Sequence, residues 1–93
     1  MKVVHLLVFG KVQGVGFRNY IKHNGRKLGL VGWVRNLPEG TVEAEVAGPD
    51  EAIDKLIQLS KKGPFLAEVT SVDVSDFEKD FPYTEFVLRH DLE

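Results

Sequence analysis

Apolar residues occur along the chain first as an unbroken run and then at helical spacing. Residues 3–9 are nearly all apolar and rich in β-branched side chains, which predicts a strand covered on at least one face. From about residue 18 to Leu28, apolar side chains recur every three or four positions, which predicts an amphipathic helix with Gly29 as its left-handed C-cap. Asn24-Gly25 also favours a hairpin, but Leu28 keeps the helical phase, so we predict one continuous helix.

The middle of the chain predicts a hairpin and a second helix. Two strand patterns, residues 31–37 and 41–47, flank the turn sequence Pro-Glu-Gly at residues 38–40. Apolar and acidic residues alternate strictly in the second pattern, so one of its faces is dry and the other polar. Residues 49–62 follow as a helix with acids in its first turn, lysines at its end and Gly63-Pro64 after it.

The last third of the chain predicts two further strands. Residues 67–74 form a strand pattern whose alternation changes phase, so we expect a bulge near residues 70–71. Residues 76–83 are polar and predict a loop, and residues 84–89 form a closing strand pattern. In this last pattern, Phe86 and Leu88 face inward.

The order of these elements is β-α-β-β-α-β, with the closing segment at the end. In a chain of 93 residues, this order predicts a single domain, residues 1–93, of the α+β class: a ferredoxin-like two-layer sandwich with a mostly antiparallel, four-stranded sheet and two helices on one face. A helical crossover joins the first two strands, so they run in the same direction. Asn36, at the end of the second strand, therefore lies at the same edge of the sheet as the segment that follows the first strand.

That segment is a glycine-rich loop ending in an arginine. Gly10, Gly14 and Gly16 let backbone N–H groups approach a ligand, and the first N–H groups of the following helix have no intrahelical partners. Arg18 puts a positive charge where the helix macrodipole disfavours a cation, and a bound anion would remove that conflict. The alternative to an anion site is that the glycines form only a tight strand-to-helix turn and that Arg18 is a solvated surface charge. Because the spacing matches neither the dinucleotide fingerprint nor the nucleotide P-loop, we expect a small phosphate.

Asn36 is the second polar group at this edge. Asparagine is a poor strand former, and its amide could simply satisfy backbone groups of the turn. Beside the loop it could instead hold a water molecule by hydrogen bonds, although an amide is not a general base at neutral pH. Positioning supplies most of the catalysis of phosphoryl transfer, so Asn36 is a candidate catalytic residue together with Arg18.

The composition excludes several other chemistries. The chain has no cysteine, so it has no disulfide, thiolate nucleophile or thiolate metal site. His5, His23 and His90 share no metal-ligand spacing, and no close acidic pair stands near the loop, so we expect neither a metal nor a cofactor. Such a site needs a substrate with a good leaving group. A carboxylate, whose acid has a pKa of about 4 to 5, leaves readily from an acyl phosphate.

Charge is divided unevenly between the two halves of the chain. Residues 1–38 carry seven basic side chains and no acidic one, whereas residues 39–93 carry five basic and fourteen acidic ones. The basic half contains the loop and would attract an anion, unless folding interleaves the halves. The net charge of −2 and a pI near 5.9 disfavour nucleic-acid binding. The apolar start is too short and too broken for a signal peptide or a membrane span, so we expect a cytoplasmic protein.

Three motifs resemble those of a known family. Gly-Lys-Val-Gln-Gly-Val-Gly-Phe-Arg at residues 10–18, Gly-Trp-Val-Arg-Asn at 32–36 and Gly-Thr-Val-Glu at 40–43 are similar to motifs of the acylphosphatases. The resemblance implies metal-independent hydrolysis of the carboxyl–phosphate bond of small acyl phosphates, with inorganic phosphate as product and competitive inhibitor. The chain departs from the family pattern at two places: Leu88 stands where Ile or Val is expected, and the segment before the last strand is polar. We expect both places to lie far from the catalytic residues.

The resemblance also implies roles for individual residues. The arginine matching Arg18 grips the phosphate together with backbone N–H groups of the loop, and the asparagine matching Asn36 orients the attacking water. The loop residues expected to bind phosphate are Gln13, Gly14, Val15, Gly16 and Phe17.

Two other functions remain as alternatives. The first is a non-catalytic module of the same fold that binds phosphate or acyl phosphates without turnover. The second is an RNA-binding sandwich of the RRM type, which Glu43 and Glu45 disfavour because they would repel a phosphate backbone. We expect a monomer that binds neither nucleic acid nor a membrane.

Overall fold

A five-stranded sheet carries two helices on one of its faces in the computed structural model, which describes residues 1–89. The elements are β1 (Lys2–Lys11), α1 (Phe17–Lys27), β2 (Val31–Asn36), β3 (Val42–Ala47), α2 (Asp50–Lys62), β4 (Glu68–Glu78) and β5 (Phe86–Leu88). The strands lie in the order β4-β1-β3-β2-β5, and only the pair β2–β5 is parallel. The ferredoxin-like sandwich is confirmed. Because β1 and β2 are both antiparallel to β3, they run in the same direction, as predicted.

The fifth strand corrects our expectation of a four-stranded sheet. β5 pairs with the outer edge of β2, where the Gly32 N–H donates to the Glu85 carbonyl at 3.0 Å and the Arg89 N–H donates to the Val34 carbonyl at 2.9 Å. Phe86 of β5 is fully buried. The closing segment therefore satisfies backbone groups that β2 would otherwise leave unpaired and covers the end of the core.

The fourth strand is longer than predicted, and its bulge lies where we expected it. Residues 76–78, which we predicted as loop, extend β4 and pair with the start of β1. Most side chains of this edge strand are exposed, so no apolar alternation marks its end. The pairing register shifts between Phe9 and Gly10, which oppose Ser71 and Val69, so Thr70 is the extra residue of the bulge.

The core lies between the sheet and the two helices. Alternate strand residues point toward the helices, as the period of two requires, and the amphipathic faces of α1 and α2 cover them. The principal core side chains, each at most 4% exposed, are Val4, Leu6, Val8, Val34, Val42, Ala44, Val46 and Phe86 from the sheet, and Phe17, Ile21, Ile53 and Leu56 from the helices.

The first helix runs unbroken through Gly25, as predicted. It ends in a Schellman motif, in which the Leu30 N–H donates to the Gly25 carbonyl and the Gly29 N–H donates to the Arg26 carbonyl. A Cβ atom at residue 25 would lie 2.5 Å from two ring carbons of Phe86. Glycine at this position therefore lets α1 pack closely against β5.

The opposite face of the sheet carries a charged cluster. Glu43 accepts hydrogen bonds from the Nε of Arg35 at 2.7 Å and the Nε2 of His5 at 2.8 Å. Burial raises the pKa of Glu43, but the two partners outweigh it and hold that pKa below its ordinary value. Next to this cluster, Trp33 is covered by the guanidinium groups of Arg35 and Arg89, which lie 5.0 and 4.6 Å from its ring.

Candidate active site

The loop between β1 and α1 depends on two glycines with left-handed backbone conformations. Gly14 and Gly16 have φ of 73° and 79°, and a Cβ at either would meet none of the described atoms within 4 Å. The glycines are therefore needed for the path of the backbone rather than for space. Gly16 precedes α1 without a side-chain cap, and between Gln13 and Phe17 no backbone N–H donates to a backbone carbonyl of residues 1–89. These donors remain available to a ligand.

Gly10 does not belong to this loop, contrary to our prediction. It lies in β1 at the bulge, where an added Cβ would collide with the backbone carbonyl of Glu68 in β4. A glycine is needed at this position because β1 and β4 approach each other closely there. The loop therefore contains two of the three glycines that we assigned to it.

Arg18 and Asn36 line one cleft of about 250 Å³. Arg18 lies in the first turn of α1 and Asn36 is the last residue of β2, so the parallel course of β1 and β2 brings them together as the topology predicted. The described lining residues are Val12, Gly14, Gly16, Phe17, Arg18, Asn19, Asn36 and Leu88. Arg18 is the only charged residue among them. The cleft therefore presents a positive charge, a polar amide and the backbone of the loop to the same space.

The side-chain oxygen of Asn36 has an unusual environment. Its Oδ1 is buried, yet it accepts no hydrogen bond from residues 1–89. Leaving a buried acceptor unsatisfied costs on the order of 1–3 kcal/mol, and such groups are rare in folded proteins. The amide oxygen of Asn36 therefore accepts no hydrogen bond from the turn backbone of residues 1–89, which was the alternative explanation for this residue. Because Asn36 lines the cleft, its side-chain amide is a polar group that a ligand there can use.

Gln13 has a structural role that the sequence did not indicate. Its side-chain amide donates to the carbonyl oxygens of Leu37 and Thr41, both at 2.8 Å, across the hairpin that follows Asn36. The side chain thus connects the glycine loop to the end of β2. Since side-chain hydrogen bonds fix relative positions, Gln13 holds the elements that carry Arg18 and Asn36 in register.

Sequence reasoning and structure differ on which other residues reach the cleft. Gln13 and Val15, predicted from the loop, lie outside its described lining, and Val15 packs against the core instead. Asn19 lines the cleft, and so does Leu88, which we had placed far from the chemistry. The parallel pairing of Leu88 with Val34 brings it there, because Asn36 follows Val34 on the same face of β2. That pairing has no local signal in the sequence.

Folding partly mixes the basic and acidic halves of the chain. Lys2 pairs with Asp50 at 3.3 Å and Arg35 pairs with Glu43, so two basic residues of the first half have acidic partners from the second half. Residues 1–89 contain no group of three or more His, Asp or Glu side chains placed to hold a metal ion. No helix in the described part of the chain is long and apolar enough to cross a bilayer. His90 lies outside the described residues.

Comparison with known proteins identifies the family. The family model described as acylphosphatase matches residues 4–88. The chain belongs to the acylphosphatase family. An acylphosphatase of Thiobacillus denitrificans is 47% identical over 91 residues, covering 98% of this chain and 100% of the relative. An acylphosphatase of Caldivirga maquilingensis is 47% identical over 89 residues, covering 95% and 94% of the two chains. The crystal structure of acylphosphatase from Bacillus subtilis superposes with a TM-score of 0.91 at 31% identity, covering 96% of this chain and 99% of that one.

Proposed function

We propose that this acylphosphatase hydrolyses the carboxyl–phosphate bond of small acyl phosphates without a metal, giving a carboxylate and inorganic phosphate. Full-length relatives that carry the acylphosphatase name support the activity. The observation that carries the mechanism is that Arg18 and Asn36 line one cleft and that the buried Oδ1 of Asn36 accepts no hydrogen bond from residues 1–89.

Arg18 and the loop bind the phosphate group. A guanidinium matches the geometry of phosphate oxygens with two parallel N–H donors, and the backbone N–H groups from about Gln13 to Phe17 supply further donors. The N-terminal end of α1 adds a partial positive charge, and its first turn contains no acidic side chain to oppose it. Together these groups neutralise the charge on the oxygens that surround phosphorus.

Asn36 positions the water that attacks. Its Oδ1 accepts an O–H hydrogen bond from the water, which directs a lone pair of the water oxygen toward phosphorus. This contact also provides the missing hydrogen bond of a buried acceptor, so the cost of leaving it unsatisfied is removed once the water is bound. The contribution of Asn36 is therefore orientation and not proton transfer.

The bond changes balance without an additional acid or base. The water oxygen forms a bond to phosphorus while the bond from phosphorus to the acyl oxygen breaks, and the electron pair leaves with the carboxylate. A phosphate oxygen takes the proton that the water loses. The carboxylate needs no protonation to leave because its conjugate acid has a pKa of about 4 to 5.

Hydrolysis of benzoyl phosphate and of p-nitrophenyl phosphate, both in EDTA and with inorganic phosphate as competitor, tests the proposal. We expect turnover of benzoyl phosphate alone, unaffected by EDTA and competitively inhibited by phosphate. Loss of turnover in EDTA would contradict the metal-independent reaction. Phosphate binding without any turnover would instead indicate the non-catalytic module. The acylphosphatase relatives do not favour that alternative. The cytoplasmic location and the monomeric state stay predictions.

A further inference from the structure

The cleft has a buried floor and an exposed mouth. The floor consists of Val12 and Phe17, each 1% exposed, and of Asn36, whose Oδ1 is buried. Two other lining residues, Asn19 and Leu88, are exposed, Leu88 to 38%. Apart from the two loop glycines, they are the only exposed residues among the described lining. We call these two side chains the mouth of the cleft.

The direction of the substrate follows from the depth of Asn36. This step rests on the proposed function, in which Asn36 holds the attacking water. In phosphoryl transfer, the attacking and leaving oxygens lie roughly in line on opposite sides of phosphorus. Since the water is held at the floor, the leaving carboxylate points outward. The acyl group therefore passes between Asn19 and Leu88.

We infer that Asn19 and Leu88 recognise the acyl group and make this enzyme selective for acyl phosphates with an apolar acyl group. An acyl group consists of a carbonyl oxygen, which accepts hydrogen bonds, and a hydrocarbon part. The amide of Asn19 supplies a donor for the carbonyl. Leu88 supplies the apolar surface that the hydrocarbon part covers. Asn19 and Leu88 are both uncharged, so neither forms an ion pair with a charged acyl group.

Both mouth residues are held by regular structure. Asn19 lies in the first turn of α1, directly after Arg18, and Leu88 is fixed by the pairing of β5 with β2. The two side chains that contact the acyl group therefore have fixed backbone positions relative to the glycine loop. Such placement is what discrimination between similar substrates requires.

Binding of two stable ketophosphonates tests the inference without requiring turnover. In acetonylphosphonate and phenacylphosphonate, a methylene replaces the bridging oxygen of acetyl and benzoyl phosphate. Calorimetric titration compares both with inorganic phosphate, which has no acyl group. We expect the native enzyme to bind phenacylphosphonate about three- to tenfold more tightly than acetonylphosphonate, since a phenyl group covers more of the apolar surface of Leu88 than a methyl group does.

Variants at the mouth separate acyl recognition from phosphate binding. Leu88→Ala should weaken phenacylphosphonate binding about three- to tenfold and change phosphate binding less than twofold, whereas Leu88→Met should retain most of the preference. Asn19→Ala should weaken both ketophosphonates relative to phosphate. Val87→Ala, on the opposite face of β5, and His23→Ala, one turn further along α1, are matched controls and should change no affinity.

The outcomes distinguish this inference from the proposed function. If the native enzyme binds phosphate but does not distinguish the two ketophosphonates, the acyl-recognition role is wrong and the phosphate site stands. Equal weakening of all three ligands by Leu88→Ala would likewise overturn it, because Leu88 would then support the cleft as a whole. No binding of phosphate to the native enzyme would overturn the proposed function and, with it, this inference.

Discussion

The side-chain amide of Gln13 donates a 2.8 Å hydrogen bond to the carbonyl oxygen of Leu37, the residue directly after Asn36. A second bond to Thr41 has the same length. Gln13→Ala removes both and frees the loop to shift relative to the end of β2. Because a shift of about 1 Å between reacting groups can cost up to a hundredfold in rate, we expect kcat to fall about ten- to a hundredfold in assays with benzoyl phosphate.

Gln13→Glu is the matched control for this prediction. Its carboxylate has nearly the same shape but cannot donate to two carbonyl oxygens when ionised. The two variants should therefore lose similar activity while thermal melting shows that both remain folded. Retention of native kcat by Gln13→Glu would mean that Gln13 acts through its volume and not through its hydrogen bonds.

Arg18→Ala should lose phosphate affinity and rate together. The guanidinium is the only charge among the described residues of the cleft, and arginines that contact a transferring phosphoryl group contribute roughly a thousandfold or more to its transfer. Steady-state kinetics with phosphate as inhibitor measures both effects. Arg18→Lys keeps the charge but not the planar fork, so it should recover only part of the loss. Unchanged inhibition by phosphate in Arg18→Ala would contradict the assignment.

Asn36→Ala should keep phosphate binding and lose turnover, by about a hundredfold or more, since only the water is misplaced. The same substitution removes a buried acceptor that residues 1–89 leave without a hydrogen bond, so the free energy of unfolding should stay constant or rise by about 1 kcal/mol. Inhibition by phosphate, kcat and urea denaturation measure the three quantities. Equal losses of phosphate affinity and kcat would assign Asn36 to binding instead.

Glu43→Gln should reduce stability in a pH-dependent way. The pKa of Glu43 in the folded protein lies below its ordinary value of 4.5, so its charge stabilises the fold above that pH, and this contribution is lost as the pH falls through the folded pKa. We expect the variant to be about 1–3 kcal/mol less stable near pH 7, because Arg35 and His5 lose an ionised partner. In urea denaturation the difference should shrink below pH 4.5. A constant difference from pH 7 to pH 3 would contradict this explanation.

Gly25→Ala should destabilise the protein although alanine favours helices. The higher helix propensity of alanine is worth about 1 kcal/mol, but the new methyl group collides with the Phe86 ring, and overpacking costs about 1–3 kcal/mol. We expect a net loss of up to about 2 kcal/mol in urea denaturation. With Phe86→Leu in the same chain, the combined loss should be smaller than the sum of the single losses, because the smaller side chain leaves room. Additive losses would show that the two residues do not interact.

Much of the glycine loop was predictable because its signals are local. The glycines at residues 14 and 16 specify a backbone conformation, and Arg18 stands out within a single helical turn. The meeting of Arg18 with Asn36 followed from one further rule, that a helical crossover joins strands running in the same direction. Gly10 was assigned wrongly because its reason, the close approach of β4, comes from a segment almost sixty residues away in the chain.

The sequence by itself determined the order of the elements, the sandwich class and the two polar residues, Arg18 and Asn36, that line one cleft. Periodicity, turn residues and crossover direction act over short stretches, so they can be read in order. Only the tertiary structure decided that β5 adds to β2, that Leu88 and Asn19 form the mouth, and that Gln13 ties the loop to the hairpin. These features depend on the register between segments distant in the chain, and register is set by packing of the whole core rather than by any local pattern.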